Sequence, residues 1–112
     1  MRKLADLLGR EVTKHDLAGL TGMRDSKVKA YENAGEVYLQ ADARFPKEGW
    51  AGATRSIGRD HKGAPVLHNE VFEISDSHQG KNIGTTVFAR QVREAARLGI
   101  ARIEATCARL AG

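Results

Sequence analysis

The chain has 112 residues, of which 41% are hydrophobic and 29% are charged, and its formal net charge is +4. This length gives room for one hydrophobic core, so we expect a single domain over residues 1–112. A single cysteine excludes an internal disulfide framework, and no apolar run reaches the roughly 20 residues of a membrane span. We therefore expect a cytoplasmic protein with no membrane partner, whose mild positive charge favours anionic ligands such as phosphates or CoA.

Two short helices are predicted at the N-terminus. Leucines at helical spacing indicate a first helix over residues 2–8. Thr13 and Asp16 resemble a capping box, with Asp in place of the usual Glu. They predict the start of a second helix, which ends near Gly22.

The pattern then changes to that of strands. The stretch "KVKAYENAGEVYLQADARF", residues 27–45, predicts two strands around a turn in which Asn33 and Gly35 are available for positive φ. Residues 50–60 form a third strand candidate that its glycines weaken. Residues 66–75 carry apolar side chains on parts of both faces, as expected for a central strand.

A helix from about Gly84 to Leu98 is the clearest predicted element. Thr85 or Thr86 is expected to cap its start, and Gly99 stands where a C-terminal glycine belongs. Its predicted apolar face consists of Phe88, Val92, Ala95 and Ala96.

Residues 100–108 alternate between apolar and polar side chains and therefore predict a last strand. A strand, a helix and a strand with short connections indicate a right-handed parallel crossover. The fold class is therefore α+β, with an antiparallel meander feeding one βαβ unit.

The segment "HQGKNIG", residues 78–84, lies between a strand end and a helix start. Helix N-termini present free N–H groups and a partial positive charge, which attract phosphate. Gly80 and Gly84 allow close approach, Asn82 tolerates a left-handed conformation, and Lys81 adds a charge. This pattern predicts an anion-binding loop, the alternative being a tight turn that uses its glycines for geometry only.

The segment "FEISDSHQGKNIGTTVFARQVREAARLGIARI" resembles the acetyl-CoA-binding core of the GNAT family of N-acetyltransferases. That family carries a Q/R-x-x-G-x-G/A loop, which here runs from Gln79 to Gly84 with Asn82 at the middle glycine. The resemblance covers residues 66–108 and implies a GNAT-like acyl-CoA N-acyltransferase fold with acetyl-CoA as cosubstrate. It implies these cofactor-binding residues: Phe72, Ile74, Gln79, Gly80, Lys81, Asn82, Ile83, Gly84 and Thr85.

The resemblance also implies an amine acceptor, which must lose a proton before it attacks the thioester. Candidate bases on the fourth strand are His68, Glu70 and Glu73, and we expect the two glutamates on opposite faces. For each of them, the alternative is an ordinary polar strand residue. Trp50 is either a packing residue or part of an acceptor pocket, and no metal site is expected.

In the family, the fifth strand is followed by a helix and two more strands, which often supply an Asn near the cofactor and a Tyr that protonates the thiolate. This sequence stops at Gly112, so we expect a C-terminally truncated fold, incomplete or inactive alone. Its exposed last strand is suited to a homo-oligomer.

Two other functions stay open. One is a non-catalytic CoA-binding or interaction remnant. The other is a DNA-binding module like that of MerR-type regulators, suggested by "DLAGLTGMRDSKVKAYENAG", residues 16–35. Its recognition segment reads equally well as a strand, and we therefore expect no nucleic-acid partner.

Overall fold

The computed structural model describes residues 2–23, 26–45, 49–76 and 83–105. Within these ranges a mixed sheet has the strand order β1-β2-β3-β4-β5, in which neighbours are antiparallel except for the parallel pair β4–β5. The predicted α+β class, the antiparallel meander and the connection through a helix to a parallel strand are therefore confirmed. The elements are α1 (Arg2–Leu8), α2 (Lys14–Thr21), β1 (Lys27–Asn33), β2 (Glu36–Phe45), β3 (Gly49–Arg59), β4 (Pro65–Ile74), α3 (Ile83–Arg97) and β5 (Arg102–Ala105).

Helix α2 begins and ends where the sequence predicts. The backbone N–H of Asp16 donates to the Thr13 hydroxyl at 3.1 Å, and the Asp16 carboxylate accepts the Thr13 N–H at 3.0 Å, which completes the capping box. Gly22 closes the helix in the left-handed conformation, at φ 83°. A Cβ on Gly22 would lie 2.3 Å from the Val87 carbonyl oxygen, so a glycine is needed where α2 meets α3.

A two-residue turn joins β1 and β2. Its central residues, Ala34 and Gly35, have φ of 52° and 82°, as a hairpin turn of the I′ type requires. The prediction that Asn33 adopts positive φ is wrong, because the register pairs Asn33 with Glu36 and leaves Ala34 in the turn. Residues 27–33 form a strand, so the recognition helix needed by the DNA-binding alternative is absent there.

All three helices pack against one face of the sheet. Their core contains buried side chains from α1, α2, α3 and the inward positions of β2, β3 and β4. These include Leu4, Leu7, Leu20, Val37, Leu39, Ala53, Ile57, Leu67, Val87, Ala95 and Leu98.

The predicted apolar face of α3 is largely wrong. Phe88 and Val92 are 51% and 42% exposed, and Ala96 is exposed too. Of that predicted face only Ala95 is buried. The helix is instead rotated so that a polar residue, Gln91, faces the core. The buried positions of α3 are Val87, Gln91 and Ala95, and Leu98, just after the helix, is buried as well.

The ends of α3 differ in how well they were predicted. Gly99 has the expected left-handed conformation, at φ 79°. The helix begins at Ile83, so Thr85 and Thr86 lie inside its first turn and do not cap it. The cap position lies outside the described residues.

Candidate ligand-binding cleft

Among the described residues, strand β4 has neighbours on both sides along its first half only. Residues 66–69 pair with residues 102–105 of β5 and, on the other side, with β3. The last parallel pair in the described residues joins Asn69 to Ala105. From residue 70 onward, β4 runs beyond that pair while it stays paired with β3.

A β-bulge lies at this point of β4. Thr54 pairs with Val71 and Arg55 pairs with Asn69, so Glu70 is an extra residue in the strand. An extra residue bends a strand and shifts the alternation of its side chains.

The bulge changes which β4 side chains face the helices. Before it, Leu67 packs in the core; after it, Phe72 and Ile74 pack against the helix-side cluster. The Glu70 carboxylate accepts a hydrogen bond on the opposite face, and alternation places Glu73 on that face as well. The prediction that the two glutamates lie on opposite faces is therefore wrong, because the bulge inserts one residue into the alternation.

A cleft of about 590 Å³ opens between the second half of β4 and the first half of α3. We call it the β4–α3 cleft. Gly84 contributes no side chain to it, and an added Cβ there would lie 3.8 Å from Phe72 Cε2. The sequence-predicted residues Glu70, Phe72, Glu73 and Gly84 are thus brought together. The lining consists of Arg55, Asn69, Glu70, Val71, Phe72, Glu73, Gly84, Val87, Phe88, Gln91 and Ala105.

A pair of side-chain amides fixes α3 to β4 beside this cleft. Asn69 Nδ2 donates to Gln91 Oε1 at 3.0 Å, and Gln91 Nε2 donates to Asn69 Oδ1 at 2.7 Å. Gln91 Nε2 also donates to the Leu20 carbonyl at the end of α2, at 3.0 Å. Because the Gln91 side chain is fully buried, these bonds satisfy an amide that burial would otherwise destabilise. Sequence reasoning missed this pair, since neither residue carries a motif.

Arg55 of β3 is a buried cation in the wall of the cleft. Only 3% of it is exposed, and burial lowers the pKa of its guanidinium to about 10. Its Nη2 donates to the Thr21 carbonyl at 3.1 Å and its Nη1 to the Val71 carbonyl at 3.3 Å. Nε has no hydrogen-bond partner in the described part of the chain.

His68 and Glu70 lie together on the sheet face opposite the helices. The Ser56 hydroxyl donates to Glu70 Oε2 at 2.8 Å. His68 Nε2 lies 3.8 Å from the same oxygen, and His68 Nδ1 lies 3.9 Å from Glu104 Oε1. Glu70 therefore touches both this polar group and the cleft, whereas His68 does not line the cleft.

The remaining predicted residues fall into three groups. Ile83 and Thr85 flank Gly84 in the first turn of α3. Trp50 lines a second depression of about 650 Å³ on the sheet, together with Lys27, Asp42, Ala43, Arg44 and Ala51. The predicted loop residues Gln79, Gly80, Lys81 and Asn82 lie outside the described residues, as does Cys107.

No protein-family model matches this chain, and no curated protein is similar enough to match it. Among the described residues, no helix is long and apolar enough to cross a membrane, and no group of three or more His, Cys, Asp or Glu side chains is arranged to hold a metal ion.

Proposed function

We propose that this protein is a GNAT-type N-acetyltransferase domain that transfers an acetyl group from acetyl-CoA to an amine. The observation that carries the proposal is the β4–α3 cleft, which opens beyond the last described pair of β4 with β5, where β4 bulges at Glu70. The resemblance implies cofactor-binding residues on the fourth strand and at the start of the following helix, and the cleft lies between these two elements.

The shape of the cleft suits an extended ligand that bears amides. The pantetheine arm of CoA is such a ligand, and a strand edge with no partner among the described residues can bind it through main-chain hydrogen bonds. Phe72, Val87 and Phe88 offer apolar contacts for the methylene groups. Gly84 leaves room at the start of α3, where N–H groups and the helix dipole favour a pyrophosphate. The contribution of residues 79–82 stays a prediction.

Glu70 is the base that this geometry supports best. Glu70 belongs to the lining of the cleft, and the Ser56 hydroxyl holds its carboxylate on the opposite face of the sheet, where it can accept a proton from an ammonium that approaches the thioester from that face. The free amine then attacks the carbonyl carbon, a C–N bond forms, the C–S bond breaks, and the CoA thiolate takes up a proton. Glu73 also lines the cleft, but no hydrogen bond orients it among the contacts described.

A second candidate function is CoA binding without catalysis. The described residues that line the cleft include no Tyr, Cys, His or Lys that could protonate the leaving thiolate. This observation favours slow transfer, or none, by the chain alone.

A thiol-release assay with acetyl-CoA and a panel of amines tests the proposal. We expect slow transfer by the unmodified protein and a further loss of about 10²-fold or more in Glu70→Gln, because a positioned base contributes about 10²–10⁴-fold. Glu32→Gln, at an exposed position of β1 outside the cleft lining, is the matched control and should retain the unmodified rate. CoA binding without thiol release would establish the non-catalytic candidate, and absence of both would refute the proposed function.

A further inference from the structure

Arg55 is a buried charge without an ionic partner among the described residues. Arginine carries five N–H donors, and in the described part of the chain only two of those on Arg55 have acceptors, the carbonyls of Thr21 and Val71. None of the described acidic residues pairs with it, and these are all of the chain's 14 acidic residues except Asp25 and Glu48. The guanidinium therefore keeps a full positive charge with two neutral acceptors.

Burying such a charge is costly unless something compensates it. Proteins pair buried charges with a counter-charge, because moving an ion out of water carries a large desolvation penalty. The Thr21 carbonyl belongs to the C-terminal turn of α2, whose partial negative charge offsets part of the cost. That partial charge is too small to neutralise the cation. It also leaves Arg55 Nε without a hydrogen-bond partner in the described part of the chain.

The guanidinium lies against the β4–α3 cleft. Its Cζ is 5.9 Å from the centre of the Phe72 ring, and its acceptor Val71 is also a lining residue. No charged group other than Arg55, Glu70 and Glu73 belongs to the described lining. An anion that enters the cleft between Phe72 and α3 would therefore meet one buried cation with donors to spare.

We propose that Arg55 selects an acyl group that ends in a carboxylate, so that the cleft prefers a dicarboxylic acyl-CoA, such as succinyl-CoA, over acetyl-CoA. This inference rests on the proposed function, since it assumes that the cleft holds an acyl-CoA. The carboxylate supplies the missing counter-charge next to the guanidinium, as charge-assisted pairing with arginine does. A neutral acyl group of the same length leaves the cation unpaired.

The test is a calorimetric titration of the unmodified protein with acetyl-CoA, butyryl-CoA and succinyl-CoA. Butyryl-CoA is the matched control, because it has a methyl group where succinyl-CoA has its carboxylate. We expect succinyl-CoA to bind at least about 10-fold more tightly than butyryl-CoA, within the range that hydrogen bonds to charged groups contribute. Arg55→Gln keeps amide donors but removes the charge, so it should abolish the difference in affinity between succinyl-CoA and butyryl-CoA. If this variant does not fold, the ratio of the two affinities in the unmodified protein still tests the inference.

Equal affinities for succinyl-CoA and butyryl-CoA would overturn the inference and leave the proposed function intact. Failure of all three esters to bind would overturn both. Free succinate forms a separate arm of the titration. If it competes as well as succinyl-CoA does, the carboxylate site is independent of an acyl donor and the inference is wrong.

Discussion

The two halves of β4 belong to one strand and share one neighbour, β3, yet they differ in burial and in partners. Leu67, in the first half, is fully buried between β3, β5 and the helices. Val71, in the second half, is 47% exposed at the edge of the cleft. A single extra residue, Glu70, marks the boundary between the two halves of β4.

The bulge separates a half of β4 that packs in the core from a half that borders the cleft. The first half fixes the position of α3 through the core and through the Asn69–Gln91 amide pair. The second half keeps its pairing with β3 but presents its other edge to the cleft. The account therefore predicts that mutations in the first half act on stability and mutations in the second half act on binding.

The largest expected effect contrasts one residue from each half. Leu67→Ala should lower the free energy of unfolding by about 2–5 kcal/mol, because it opens a cavity in the core. Val71→Ala should change it by no more than about 0.5 kcal/mol, because the side chain is largely exposed. Urea unfolding followed by circular dichroism measures the free energy of unfolding of both variants. Similar losses in the two variants would break the distinction between the halves.

An intermediate effect is expected at the amide pair. Gln91→Leu leaves the Asn69 amide unsatisfied and should cost about 1–3 kcal/mol. The double variant Asn69→Leu/Gln91→Leu removes both partners and should cost less than the sum of the single variants. A double-mutant cycle of urea unfolding energies gives the coupling, which should be about 0.5–3 kcal/mol. Strict additivity would show that the pair does not act as a unit.

The smallest effect concerns the helix layer, far from the cleft. Burial raises the pKa of the Asp16 carboxyl, but the Thr13 N–H and the Arg97 guanidinium outweigh burial and hold the pKa below its usual 3.8. A carboxyl whose pKa is lowered by folding stabilises the protein above its unfolded pKa, and this contribution is lost as the pH falls through the folded pKa.

Asp16→Asn tests that contribution. It keeps an acceptor for the Thr13 N–H but removes the ion pair, and it should cost at most about 1 kcal/mol at pH 7, because Arg97 is partly exposed. The difference in unfolding energy between the two proteins should shrink below about pH 3.8. A constant difference from pH 7 to pH 2.5 would mean that the Asp16 charge makes no contribution.

Local signals predicted the elements well. Capping chemistry at Thr13 and Gly22, and the turn that contains Gly35, depend on residues close in sequence, so their effects can be read directly. The buried face of α3 could not be predicted in this way. Gln91 is buried because its partners, Asn69 and the Leu20 carbonyl, come from distant parts of the chain.

The sequence predicted some of the residues that line the cleft but not their arrangement. Phe72 and Gly84 were expected near a cofactor, and both line the cleft. The bulge at Glu70 has no sequence signature, so the shared face of Glu70 and Glu73 was missed. Arg55 was missed because a lone arginine in a strand gives no indication of its burial.

Binding of CoA to the cleft is the central claim, and a titration monitored by calorimetry tests it most directly. The unmodified protein should bind CoA, and pantetheine, which lacks the pyrophosphate, should bind far more weakly. Gly84→Val should abolish CoA binding without unfolding the protein, because its side chain would occupy the cleft next to Phe72. Ala89→Val, on an exposed position of the same helix, should bind CoA normally. Absence of CoA binding at any concentration tested, equal affinity for pantetheine, or unchanged binding by Gly84→Val would contradict the account.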